Sequence, residues 1–378
     1  MKIMRLNLLL ILISLLITAS TVYSAPVITT LPSNPTAGAS ATIGGSGFGA
    51  SPTVHFYTDF EQGSDGAQIP TGTLGANVGS IAAATTDKSL YESSAKFSGN
   101  LSFQTTQEET SYGSVTIALP ENTRSVYMSW QVFIPGGDYY PGGDTNDGVN
   151  WKNVWLLGWD ANGDTLINDG DISIPTLLGY DQRPTDPPNA LPSWQINGNK
   201  DPGLPLFYAE YTNTGLVKGQ WSRFSAWVKG GDATAGELLF TTTDATTGTI
   251  VRRDDGPTHT LYSQQWWNRV NVNGYARTPS VSHPTFDDVY IAVGANAQAR
   301  VEIGDEPVYA DCTRLSIAPE SARTATSISV TLPLMTGTSY IYVFTADGSV
   351  DVSGPITIAA AVDIHPLYTD GSSLLVGN

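Results

Sequence analysis

Read for alternation, the chain is a succession of strands with two unlike faces. Trp221–Lys229 shows it most clearly: Phe224, Ala226 and Val228 fall on one side, and Trp221, Arg223, Ser225, Trp227 and Lys229 on the other. A period of two marks a β-strand whose sides meet different surroundings. The pattern recurs through the middle of the chain. Val126, Met128, Trp130, Val132 and Ile134 alternate with Tyr127, Ser129, Gln131 and Phe133, and Val154 and Leu156 with Trp151, Asn153, Trp155 and Trp159. Phe207, Ala209 and Tyr211 alternate with Tyr208 and Glu210. Val289, Ile291 and Val293 alternate with Phe286, Asp288 and Tyr290, and Val301 and Ile303 with Arg300 and Glu302. One side of each strand is built for a core, and the other mixes rings with charge. That second side predicts a curved β-sandwich with a lined, ligand-facing groove, in preference to a sandwich with a plainly solvated outer sheet.

The flanks read differently. Pro26-Val27-Ile28, Gly38, the run Ala41-Thr-Ile-Gly-Gly-Ser-Gly-Phe-Gly49 and Val54-His55-Phe56 predict three short strands with a glycine-rich corner. On those residues the segment resembles the first half of an IPT/TIG domain, a small immunoglobulin-like sandwich. Thr324 to Pro333, Ser339 to Gly348 and Gly354 to Ile358 are similar to the missing half, with Asp347-Gly348 as a hairpin turn. The expectation is a split module, 25–57 with 313–359, interrupted by a large domain over 58–312 and followed by a tail over 360–378. Loop-closure entropy grows slowly enough with length to allow such an insertion. The alternative is an N-terminal linker followed by a separate C-terminal sandwich. The insert, opening on Asp59-Phe60-Glu61 and closing on Phe286 to Ala292, resembles the concanavalin A-like lectin and glucanase jelly rolls. That superfamily also holds laminin G-like modules and polysaccharide lyases. The resemblance is to a fold and implies carbohydrate-directed function by analogy only.

Composition sharpens the picture in four ways. Abundant glycine and proline (38 and 23 residues) with only 14% charged residues fit an all-β protein. Residues 1–24 read as a secretory signal: Lys2 and Arg5, an apolar run from Leu8 to Ile17, then Val22 and Ser24 before a cleavage point. A membrane anchor is the alternative, but the run is short for a span. The formal charge is −17, and losing Lys2 and Arg5 with the signal leaves −19. Such a chain is unsuited to a nucleic-acid backbone or an anionic membrane surface. A single cysteine, Cys312, excludes an intrachain disulfide, so stability has to come from cores or metal ions.

Two groups of residues carry candidate chemistry. In the loop Asp160–Asp171, oxygen side chains fall at Asp160, Asn162, Asp164, Asn168 and Asp171, and the carbonyl of Leu166 stands at the seventh position. That spacing lets one short loop wrap Ca²⁺. It resembles the dockerin and EF-hand-like calcium loop, from which it departs in having Thr165 at the sixth position and strand-like flanks. An acidic hairpin turn is the alternative. Asp144 to Gly148 is a second, weaker acidic loop. The other group is the expected groove. Trp155, Tyr208, Trp227 and Tyr290 would stack on sugar rings; Gln131, Asn153, Glu210, Arg223, Asp288, Arg300 and Glu302 would bond hydroxyls or a uronate carboxylate. The alternative is mutual pairing on a solvated sheet, Arg223 with Glu210 and Arg300 with Asp288.

The expected partner is therefore a polysaccharide or glycoconjugate outside the cell, bound with a calcium-shaped loop. The competing readings are an enzyme and a structural or adhesive protein. A glycosidase needs two carboxylates about 5–9 Å apart. The glucanase strand that supplies them, Glu-x-Asp-x-(x)-Glu, is missing, and Glu302-Ile-Gly-Asp305-Glu306 has the wrong spacing. A polysaccharide lyase needs a base and a group that neutralises the uronate; Tyr208 or Tyr290 with Arg223, Asn153 and Gln131 would form that set. Of the four histidines, only His259 and His283 stand where a groove is within reach. The Arg-Ser/Thr-Glu-Leu-Arg and Gln-Ile/Val-His motifs of alginate lyases of this fold are missing.

Overall fold

The computed structural model describes residues 25–73, 79–108, 111–135, 149–158, 175–182, 194–198, 208–211, 219–230, 236–254, 266–277 and 283–361. They form antiparallel sheets and one 3₁₀ turn, Tyr309–Asp311. No helix among them is long and apolar enough to cross a membrane.

Two large sheets make the bigger sandwich. The first runs in the order Gly248–Asp254, Glu237–Asp244, Trp221–Lys229, Ser125–Phe133, Thr285–Val293, Ser102–Thr105, Ser89–Glu92, with Thr53–Thr58 also paired to Thr285–Val293. The second runs Tyr208–Tyr211, Trp194–Gly198, Pro175–Gln182, Val149–Gly158, Trp267–Arg277, Val115–Ala118, Ala83–Ala84. The aliphatic sides predicted by alternation fill the space between them. Val126, Met128, Trp130, Phe224, Ala226, Val228, Val154 and Leu156 all belong to one core. Strands distant in the chain lie side by side, as in a jelly roll.

Alternation fails at two places, the first at Asn153, expected on the mixed side but fully buried against Trp130 of the core, beside a register shift between Lys152 and Val154. Phe286, expected on the mixed side of its strand, lies in the core with Val289 and Ile291. Between them Asp288 takes a φ of 49°, and pairing with Ser125–Phe133 shifts register between Ser129 and Gln131. This bulge resets which side of the strand faces inward.

The smaller sandwich is built from both ends of the described chain. One sheet runs Val27–Thr30, Ser40–Ser46, Ser327–Thr331, Glu320–Arg323; the other runs Leu315–Ile317, Arg300–Gly304, Gly337–Phe344, Val350–Ile358. Pairing of Ser40 with Thr331 and Ile43 with Ile328 joins the two ends. Ile43, Phe48, Val301, Ile303, Ile328, Val330, Ile341 and Val343 form its core. Gly45 makes that core possible, since a Cβ there would lie 2.0 Å from the carbonyl oxygen of Val27 and 2.4 Å from the Phe48 ring.

Two expected boundaries are corrected. Residues 53–57 are expected in the small module, but Phe56 fills the large core and the strand Thr53–Thr58 pairs with Thr285–Val293. Arg300–Gly304 was placed in the insert, but Val301 and Ile303 fill the small core and it pairs with Gly337–Phe344. Alternation identifies a strand and its inner side; it does not say which of two cores that side enters.

Ile43 is fully buried where the two ends of the chain meet. Ile43→Ala should therefore lower stability by about 2–5 kcal/mol, read as a lower urea midpoint with activity-independent probes such as tryptophan fluorescence.

Candidate functional site

The residues assigned to the expected groove divide between two surfaces, one closed and one partly open. The closed one is the outer side of the first sheet. There Arg223, Trp227, Tyr290, Gln131 and Asp288 all lie within 4% of full burial, under Arg300–Gly304 and Leu315–Ile317 of the smaller sandwich. Tyr127, Trp227, Tyr290 and Ala292 pack against Ala297 and Ile317 across this junction. The groove expected here is thus a domain interface, and the mixed aromatic and ionic sides of these strands are mixed because they meet another protein surface.

Its centre is Glu302, whose side chain is fully buried. Arg223 donates from Nη1 to Oε2 and from Nη2 to Oε1, both at 3.0 Å. Arg300 donates to Oε1 from Nε, Tyr309 OH donates to Oε2 at 2.8 Å, and Tyr127 OH to Oε1 at 3.3 Å. Arg223 also reaches the Tyr127 hydroxyl and Ser129 Oγ, each at 3.0 Å. The Arg300 guanidinium lies over the Phe344 ring at 3.6 Å and over Tyr127 at 4.5 Å. The pairings expected for a solvated sheet, Arg223 with Glu210 and Arg300 with Asp288, are replaced by one carboxylate shared between two arginines. Burial alone would push the Glu302 carboxyl up; Arg223 and then Arg300 outweigh it and hold the carboxyl down at about 2. Burial opposes charge on Arg223 and Arg300 as well, and Glu302 overrides it.

Other residues proposed for catalysis are fixed structurally. Gln131 Nε2 donates to the Leu315 carbonyl at 2.7 Å, and Asn153 Oδ1 accepts from Trp130 Nε1 at 3.0 Å. Tyr290 sits against Tyr127, and burial raises its hydroxyl pKa well above the ordinary value, which unsuits it as a base. Asp288 accepts from Ser316 Oγ at 3.0 Å and Ser98 Oγ at 3.3 Å; burial raises its pKa to about 7. His283 is also engaged, with Nδ1 3.2 Å from the Thr105 carbonyl. A pocket of about 350 Å³ opens at the edge of the junction, lined by Tyr57, Asp59, Glu320 and Leu334. Both its carboxylates are engaged, Asp59 by Gln62 Nε2 and the Glu61 N–H, and Glu320 by Arg323.

The partly open surface is the outer side of the second sheet. Val115 and Ile117, Val270 and Val272, and Val154 and Leu156 turn inward. Thr116, Asn271 and Trp155, between them, fall on the other side and are half-buried. Register puts these three directly opposite one another. Thr116 Oγ1 donates to Asn271 Oδ1 at 3.1 Å. The backbone row continues through Thr176 and Asn197 to Tyr208. Six strands in register span about 24 Å at the usual strand spacing. Arg269 stands two residues from Asn271, opposite Leu157 on one side and Ala118 on the other. Trp155 and Tyr208 were expected in a groove. Thr116, Asn271 and Arg269 were missed, although Arg269-Val-Asn-Val272 alternates as clearly as the strands that were read. Glu210 pairs with Gln195 at the sheet edge. The calcium loop Asp160, Asn162, Asp164, Leu166, Asn168 and Asp171 lies outside the described residues, as do Asp144 to Gly148, His259 and His365.

No family model matches the chain, and no curated protein sequence matches it. Solved structures similar to it include an endo-β-1,4-glucuronan lyase of the fungus Trichoderma reesei: 12% identity, 59% of this chain and 94% of that one, TM-score 0.40. Alginate lyase Aly36B aligns at 10% identity over 64% of this chain and 97% of its own, with a TM-score of 0.43. A PL-14 alginate lyase of Aplysia kurodai aligns at 8% identity over 61% and 100%, with a TM-score of 0.42. These neighbours are carbohydrate-active proteins. The jelly-roll description rests on the strand order above, and likeness at these scores carries no conclusion about substrate or reaction.

Glu302→Gln should destabilise the protein by about 3–5 kcal/mol, because it leaves two buried guanidiniums without their counter-charge. The folded carboxyl sits at about 2 against an ordinary 4.5. Its contribution is therefore present above 4.5 and is lost as pH falls from 4.5 towards 2. Thermal melts across that window should show a slope in the wild type that Glu302→Gln flattens.

Proposed function

We propose that this protein binds carbohydrate outside the cell, along the outer face of its second sheet. One observation carries the reading: Thr116, Asn271 and Trp155 stand side by side, half-exposed, on adjacent strands. An indole plane offers a flat apolar surface to the C–H side of a sugar ring, while amide and hydroxyl groups beside it serve the ring's hydroxyls. Rigid strands hold the three at fixed spacing, which lowers the entropic cost of binding a repeating polymer. The backbone row continues from the Trp155 strand through Asn197 to Tyr208.

Binding is the reading that the described residues support best. Of the lyase set, Arg223, Gln131 and Asn153 are held in buried structural bonds, and Tyr290 is buried against Tyr127. The same proposal includes export by residues 1–24 and an IPT/TIG-like identity for the small sandwich, each supported by the motifs in the sequence. It also includes Ca²⁺ at Asp160–Asp171, supported by oxygen spacing. That loop follows directly on the strand Val149–Gly158, which carries Trp155.

Affinity electrophoresis of the mature chain against neutral and acidic polysaccharides tests the reading. Trp155→Ala should weaken binding by about tenfold, equivalent to ~1.4 kcal/mol. Trp227→Ala, at the closed junction, should instead lower stability and spare affinity. No retention of the wild type on any glycan would overturn the proposal.

Calcium is checked separately. Titration into chelator-treated protein should raise the melting temperature if the loop binds the ion, and Asp160→Ala with Asp164→Ala should abolish that rise.

A further inference from the structure

Arg269, half-buried, is unlike the buried arginines. Arg223 and Arg300 face Glu302, and Arg323 faces Glu320, so each of those guanidiniums has a carboxylate against it. Arg269 has no ion pair with a described carboxylate, and its buried Nε has no hydrogen-bond partner. The chain carries 35 acidic residues against 18 basic ones. In such a chain an unpaired guanidinium is notable, because counter-charges are plentiful. Its position is also distinctive. Val270 and Val272 face the core, so Arg269 shares the outer side with Asn271, one step along the strand from the Thr116–Asn271–Trp155 row. Burial lowers its pKa, and a desolvated guanidinium gains most from an anion that replaces the lost water.

We propose that Arg269 binds the carboxylate of an acidic sugar lying along this row, so that the face selects a polyuronate over a neutral polysaccharide. The inference rests on the carbohydrate reading above and adds the substrate class to it. The planar fork of arginine matches a carboxylate through two parallel N–H···O bonds, a contact that a hydroxyl cannot reproduce. The net charge of −17 does not favour a polyanion at long range. At physiological salt that repulsion is screened beyond about 8 Å. Selection has to come from contact, and among the described residues Arg269 is a cation placed to make it.

The test is calorimetric titration of the mature chain with three polymers: a polyuronate, the same polymer after reduction of its carboxyls to hydroxymethyl groups, and a sulfated neutral glycan. The wild type should bind the polyuronate about tenfold more tightly than the reduced polymer. Arg269→Gln should bring the two within about twofold, and Arg269→Lys should fall between. Equal wild-type affinity for the polyuronate and its reduced form would overturn the inference while leaving the carbohydrate reading intact. Preference for the sulfated glycan, with the polyuronate unbound, would overturn the carboxylate assignment. Binding to none of the three would overturn both. The wild-type comparison decides the matter even if a variant fails to fold.

Discussion

The carboxylate of Glu302 is the contact on which the arrangement of the two sandwiches depends. It comes from the smaller one and is met by Arg223 from the larger, by Arg300 and Tyr309 from its own side, and by Tyr127 across the junction. Two cations and one anion are buried together, an arrangement that costs several kcal/mol of desolvation per ion unless the geometry is good. Here the bidentate contact, the phenol hydroxyls and the rings against Arg300 make it good. Such a contact is directional. Hydrophobic packing by Trp227, Tyr290 and Ile317 would hold two surfaces together at many angles; a shared carboxylate fixes one.

That junction also explains which parts of the molecule were legible in the sequence. Period-two alternation located the strands and their inner sides because burial of Val126, Met128, Phe224 and Val228 depends on nothing beyond local geometry. The outer sides were harder. Rings mixed with charge are what a ligand groove requires, and equally what a polar domain interface requires. Arg223 and Tyr290 read the same in both. Only long-range pairing distinguishes them, and Glu302 reaches its partners from far along the chain. The acidic bulge at Asp287–Asp288 was illegible for a related reason: Asp288 has a positive φ, and its carboxylate is held by Ser98 and Ser316, from elsewhere in the chain. Arg269 and Asn271 were legible in principle, but nothing in their pattern ranked them above the strands that proved to be covered.

The result is a division of labour between two sheets of similar make. The first spends its aromatic and ionic side on holding a second module. The second leaves Trp155, Asn271 and Thr116 partly exposed. The dense charge cluster around Glu302 is structural, and the less ionic of the two faces is the one left partly open.

The smaller sandwich closes only when Ser40–Ser46 meets Ser327–Thr331, and the larger only when Thr53–Thr58 meets Thr285–Val293. Each therefore pairs strands more than two hundred residues apart, so neither core can be sealed until the later strand of its pair has been made. Contacts between such distant segments form slowly. Until those later strands arrive, Ser40–Ser46 and Thr53–Thr58 have no sheet partner from the far segment. The long interval before closure exposes unpaired strand edges to aggregation.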